Sequence, residues 1–284
     1  MTTSTSRAQW GAMPLFVLLW GSAGIFTRVG LDHGSVLAML TLRFAIALPV
    51  VLLLGWSQGG WLPSRGLRWS TAAGGLLMIG LYSLCYFEAL GNGITPGLLA
   101  TILGVQPILT LALTERRFSP ARLAGLCLSL AGLVLVVYQS LILTRLTLPG
   151  LLYSLGALLS MTLGAILQKR SPQPPLQAMP LQYALSLLLF LLLGTVQDVY
   201  WDNTFGFWGP VLWLSLVISV LAQLLLYRMI RSGNLVNVTS LFYLVPVVTA
   251  GLDYLVLGNA LPLAAGLGLL AILAGLSLSF RKSG

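Results

Sequence analysis

Apolar runs of about 20 residues follow one another along the whole chain. At about 1.5 Å per residue each is long enough to cross a hydrocarbon core of about 30 Å. Blocks such as LSLLLFLLLG at 185–194 lack the alternation of apolar and polar residues that a barrel strand needs. Helices therefore remain as the form in which such a chain can satisfy its backbone inside lipid. Composition agrees: 57% of the 284 residues are hydrophobic and 7% are charged, against roughly a quarter charged in an ordinary soluble domain.

Glycines, prolines and charge clusters divide the chain into ten expected spans. They fall near 12–30, 36–56, 70–90, 94–114, 120–138, 149–168, 178–196, 209–229, 236–257 and 262–280. Lysine and arginine concentrate on the cytoplasmic side of membrane proteins, and this division tests itself against that rule. The N-terminus and every second loop hold Arg7, Arg65, Arg68, Arg116, Arg117, Arg122, Lys169, Arg170, Arg228, Arg231, Arg281 and Lys282. Arg28, Arg43 and Arg145 alone are left for the other side. A wrong helix count would scramble this segregation. It predicts a multi-pass protein of a bacterial-type inner (plasma) membrane with both termini cytoplasmic. Trp56, Trp61 and Trp69 beside one inner loop, and Tyr200, Trp201, Phe205 and Trp208 beside an outer one, suit the membrane interface. The first apolar run continues past the small residues at 21–24 toward Arg28, so it is expected to be a retained helix.

The net charge of +9 is scattered in pairs between spans and forms no stripe that could follow a phosphate backbone, so nucleic acid is not an expected partner. Cys85 and Cys127 lie within apolar spans, where a thiol packs as a small apolar group, and no disulfide is expected. An intramembrane enzyme is disfavoured. The single histidine, His33, falls in the first outer loop, and Asp253 is the one candidate for an aspartyl pair. No clustered His, Cys or carboxylate ligands suggest a metal, and no cofactor is expected.

The two halves of the chain resemble each other. Pro107 in LGVQPIL matches Pro246 in YLVPVV at an offset of 139 residues, and Gly125 and Gly132 match Gly268 and Gly275 at an offset of 143. In the same frame Gly24 falls over Gly164. Residues 1–140 and 141–284 would then each hold five spans. Five is odd, so the second copy would enter the membrane from the opposite side. The expected fold is an all-α integral membrane protein whose ten helices form two inverted repeats around a central cavity, an arrangement found in secondary transporters.

The segments LWGSAGIFTRVG at 19–30, LRFAIALP at 42–49 and EALGNGITPGLLATILGVQPILTLALTERRFSPARLAGLCLSLAGLVLVV at 88–137 resemble the drug/metabolite transporter superfamily, EamA type. A weaker second copy extends the resemblance over nearly the whole chain. Within that group the chain looks most like the YddG-type amino-acid exporters. The resemblance implies a ten-helix inverted repeat around a central cavity and export of amino acids or related metabolites. A non-selective pore or a lipid or metabolite flippase of the same fold is the alternative. The expected partners are a small-molecule substrate and the lipid bilayer, with a single chain as the working unit.

The few polar and aromatic groups at mid-depth are the candidate substrate contacts. They are Trp20 and Gly24 with Thr27 on one face of the first span, Met78 and Tyr82 in the third, Gln106 in the fourth, Ser160 in the sixth, Gln223 in the eighth and Tyr243 in the ninth. Each could equally serve helix packing. Pro107 and Pro246 are read as hinges or as static kinks in the fourth and ninth spans. Arg43 lies about 10 Å inside the second span by the helical rise, where an isolated charge needs a partner or water. Glu88 and Asp253 lie on the same side. Pairing among the three is the first reading, with an outer gate or a contact to a substrate carboxylate the second. No carboxylate stands at the centre of the first span, where small multidrug pumps carry a glutamate, so proton-coupled export of cationic drugs is disfavoured.

Overall fold

A computed structural model describes residues 4–57, 60–143, 147–257 and 263–280. The side chains of 4–11, 139–140, 143 and 252–257 lie outside that description. Among these residues twelve principal helical segments are found: α1 (Ser4–Leu31), α2 (Val36–Ser57), α3 (Arg65–Gly91), α4 (Pro96–Leu103), α5 (Gln106–Thr114), α6 (Pro120–Val136), α7 (Leu148–Arg170), α8 (Pro175–Leu193), α9 (Phe205–Ser232), α10 (Leu235–Ser240), α11 (Val245–Leu257) and α12 (Leu263–Phe280). A short helix, Tyr138–Leu143, follows α6. Among the described residues eight stretches are long and apolar enough to cross a membrane, α4 and α5 together forming one of them. Pro120–Val136 and Leu235–Gly251 are shorter apolar helical stretches.

Local sequence explains most boundaries. Helices α4, α6 and α7 each open on a Ser or Thr cap followed within two residues by proline, whose missing N–H costs nothing there. The cap oxygens of Thr95, Ser119 and Thr147 accept from the backbone N–H of Leu98, Arg122 and Gly150. After α3 the chain turns through Gly93 at φ +87°, a left-handed conformation open to glycine. Helix α1 begins earlier than its apolar run indicates, at Ser4.

The loops gather at two ends. At the basic end the Gln173 amide donates to the Ser64 hydroxyl at 2.8 Å, and Lys169 Nζ donates to the Gly233 carbonyl at 2.6 Å. Arg122 clamps this end: it forks onto both Glu115 oxygens at 2.7 Å and donates to the Asn234 and Asn237 side chains at 2.8 and 2.9 Å. At the other end Ser35 N–H donates to the Tyr200 carbonyl, Asp202 N–H to the His33 carbonyl and the Thr147 hydroxyl to the Asn92 carbonyl. His33 also faces Asp202 at 3.5 Å across the loops. Between the ends, Leu53, Leu188, Leu192 and Leu270 point outward, as a lipid-facing surface requires.

Contacts between helices repeat with the two halves exchanged. Helix α3 packs on α7 and α9 packs on α1, while α3 on α8 is matched by α9 on α2. Helices α6 and α12 pack antiparallel along their glycines: a Cβ on Gly125 would meet the Gly275 carbonyl at 2.6 Å, and one on Gly132 the Gly268 carbonyl at 2.6 Å. Small residues let backbones approach this closely where lipid supplies no hydrophobic force between helices. Both α3 and α9 contain a π-helical stretch at corresponding places, Leu76–Leu81 and Trp213–Ala222.

A buried polar node joins the halves. The Gln182 amide donates to the Thr71 carbonyl and to Gln168 Oε1, each at 3.1 Å, and accepts from the Tyr227 hydroxyl at 2.8 Å. Leucine at 182 strands these partners, and the expected cost is about 1–3 kcal/mol, read as a lowered thermal unfolding midpoint in detergent.

Candidate functional site

Pro107 and Pro246 each follow an interruption of the regular helix. The fourth span breaks after Leu103, turns through Gly104 and Val105, and restarts at α5 with Pro107 as its second residue. The ninth follows the same plan: α10 gives way to a 3₁₀ turn, Leu241–Leu244, and α11 restarts with Pro246 in its second place. At the start of a helix proline forfeits no intrahelical bond, which is why both breaks sit immediately before it.

Pro246 faces a cavity of about 810 Å³ between the two halves of the chain. Its walls come from the C-terminal half of α1, from α2, α3, α4 and the end of α6, and from α9, the 3₁₀ turn, α11 and α12. The lining reaches Arg28, Val29 and Pro96 near one end and, among the described residues, includes none of the Arg122 clamp or of the other basic loops.

Trp20, Gly24 and Thr27 all line the cavity, as their spacing on α1 predicts. Trp20 stacks obliquely on Phe16 at 5.1 Å between ring centres and meets the edge of Phe242 at 5.5 Å. Tyr82 lines the cavity from α3 beside Tyr86, 5.8 Å between rings. The Thr249 hydroxyl donates to the Gly21 carbonyl at 2.7 Å, fixing α11 to α1 at the cavity edge.

Five expected contacts lie elsewhere among the described residues. Met78 is buried under α7, where a Cβ on Gly164 would strike it at 2.6 Å. Gln106 stands at the head of α5, and Ser160 and Gln223 are buried away from the cavity lining. Tyr243 packs with Leu111, Leu126 and Ile272. The Gln106 and Gln223 amide nitrogens and the Tyr243 hydroxyl have no hydrogen-bond partner among the described residues. In their place the cavity gains Tyr86, Ser83, Phe242 and Thr249. Signals for three of these were present: Tyr86 follows Tyr82 by one turn, and Phe242 and Thr249 flank Pro246.

Arg43 lines the cavity, but the pairing expected with Glu88 is not made. Its Nε donates to the Ser219 hydroxyl at 2.7 Å, and its guanidinium lies 5.3 Å from the Phe44 ring centre and 6.0 Å from that of Phe87. Ring faces and a hydroxyl stand where a carboxylate was expected. Glu88 instead accepts from the Asn92 amide at 3.4 Å on its own helix end. The Asp253 side chain lies outside the described residues. The ion pairs among the described residues are Arg28–Asp32 and Arg122–Glu115.

A bundle of membrane-length helices around a cavity that both halves wall defines a polytopic helical membrane protein with room for a small molecule. The chain belongs to the EamA-like transporter family, whose pattern matches residues 11–138 and again 148–281. It is 26% identical over 281 residues to a protein of Salmonella typhimurium (strain LT2) named "Probable amino-acid metabolite efflux pump", covering 92% of this chain and 91% of that one. It is 27% identical over 290 residues to a protein of Archaeoglobus fulgidus named "Uncharacterized transporter", with 95% and 96% covered. A crystal structure of a protein 20% identical in sequence superposes with a TM-score of 0.78 over 95% of this chain and 98% of the other. That likeness is one of fold.

Proposed function

We propose that this protein is a secondary transporter that exports amino acids or related small metabolites by alternating access. The observation that carries the reading is the cavity at the junction of the two halves, whose lining reaches the end opposite the basic loops. Ten spans in two inverted repeats, residues 1–140 and 141–284, account for the exchange of contacts between halves. They also account for the antiparallel packing of α6 on α12, which an inverted pair of equivalent helices must adopt. With the basic end in the cytoplasm of a bacterial-type inner membrane, the described state is open outward and the Arg122 clamp is its inner seal. The amino-acid cargo is supported by the name of the Salmonella relative and by the aromatic residues of the wall.

Counterflow in proteoliposomes tests the reading. Vesicles are loaded with one unlabelled amino acid each, and entry of a labelled one is followed. Trans-stimulation by some and not others is the expected result. Linear, unsaturable flux would instead favour the pore. Tyr82→Ala is expected to change which amino acids stimulate, because it opens a cavity wall. Gln106→Ala is expected to leave that profile unchanged, because Gln106 is buried outside the wall.

A further inference from the structure

Arg43 is held as if for an anion. Its Nε is fixed on Ser219, whose hydroxyl donates to the Leu214 carbonyl at 2.9 Å and whose own carbonyl accepts from the Tyr183 hydroxyl. This bracing orients the guanidinium plane. Its two terminal nitrogens carry four N–H donors, and none has an acceptor or a carboxylate among the described residues. Among the described residues no Asp or Glu lines the cavity, and the other charge in the described wall, Arg28, has Asp32 at 3.4 Å. An unmatched guanidinium at this depth is expensive unless something fills its fork. The planar fork fits a carboxylate through two parallel bonds.

We propose that Arg43 anchors the carboxylate of the transported molecule, and that the cavity selects organic carboxylates without requiring an amine. This rests on the cavity being the transport site. With the carboxylate at Arg43, the carbon skeleton lies among Trp20, Tyr82, Tyr86 and Phe242, which offer rings and hydroxyls and no counter-charge for an ammonium group.

Four probes of one skeleton separate the two charges: phenylalanine, 3-phenylpropionate without the amine, phenylalaninamide without the carboxylate charge, and phenethylamine without the carboxylate. Binding to the purified full chain is read from thermal stabilisation in detergent, and competition from counterflow of labelled phenylalanine. Phenylalanine and 3-phenylpropionate are expected to bind within about tenfold of each other, and the amide and the amine more than about tenfold weaker, as loss of a charge-assisted pair predicts. Arg43→Gln is expected to weaken the two carboxylates to the level of the amide, and Arg43→Lys to keep part of the preference.

Equal binding by the amide or the amine overturns the proposal, as does a carboxylate preference that survives Arg43→Gln or a failure of all four probes to bind. The wild-type panel decides even if the variants fold poorly. Phenylalanine counterflow without carboxylate preference would leave the transport reading standing and remove this inference. Arg43-dependent carboxylate binding without counterflow would do the reverse.

Discussion

Leucine at Gly132 is expected to remove most of the folded protein. The two nearest atoms that its side chain would meet are backbone: the Gly268 carbonyl at 2.6 Å and the Ile272 N–H nitrogen at 2.9 Å from the first carbon alone. A side chain in the way can change rotamer, but a helix backbone has to move as a whole. Helices α6 and α12 must therefore part along their length, losing the packing and the Ser129 hydrogen bond to the Ile272 carbonyl. Overpacking commonly costs about 1–3 kcal/mol, and a contact between backbones belongs at or above the top of that range. Gly266→Leu is the control, since nothing lies within 4 Å of a Cβ there. The monodisperse fraction after detergent extraction and the thermal midpoint should fall steeply for Gly132→Leu and stay near wild type for Gly266→Leu.

Arg122→Ala carries the second large effect. One guanidinium holds the end of α5 through Glu115 and the start of α10 through Asn234 and Asn237. The Arg122 and Glu115 side chains keep 15% and 22% of their exposure, so solvent screens the pair in part, and the carboxylate left behind is incompletely hydrated. A loss of about 1–3 kcal/mol is expected, seen as a lower thermal midpoint. Arg122→Lys should recover little of it, because a point charge cannot reach both sides of the clamp. Combined with Glu115→Gln, the loss should fall well short of the sum of the single changes, as it does for residues sharing one interaction. Additive losses would mean that the two act separately.

Much of the architecture was legible because it rests on one-dimensional constraints. Span length, the alternation of basic loops and the paired glycines of α6 and α12 are each fixed by local chemistry. The cavity was legible in part. Spacing identifies residues that share a helix face, but not what that face meets. On α1 the shared face happens to border the cavity, so Trp20, Gly24 and Thr27 are all found there. On α3 the same reasoning joins Met78 to Tyr82, yet Met78 is covered by α7 because Gly164 lets that helix come close. The breaks before Pro107 and Pro246 were hidden because the turn residues, Gly104–Val105 and Leu241–Leu244, are as apolar as the helices they interrupt. Arg43 was legible as a charge that needs company, but the company, Ser219, comes from a helix 176 residues away.

The glycine seam between α6 and α12 also bears on how such a chain can change over generations. Gly125 rests on Gly275 and Gly132 on Gly268, so each copy of the motif is the surface that limits the other. A bulkier residue arising in one helix cannot be offset by a smaller one opposite, because the residue opposite is already the smallest available. Along this line neither half can take a larger residue without parting the two helices.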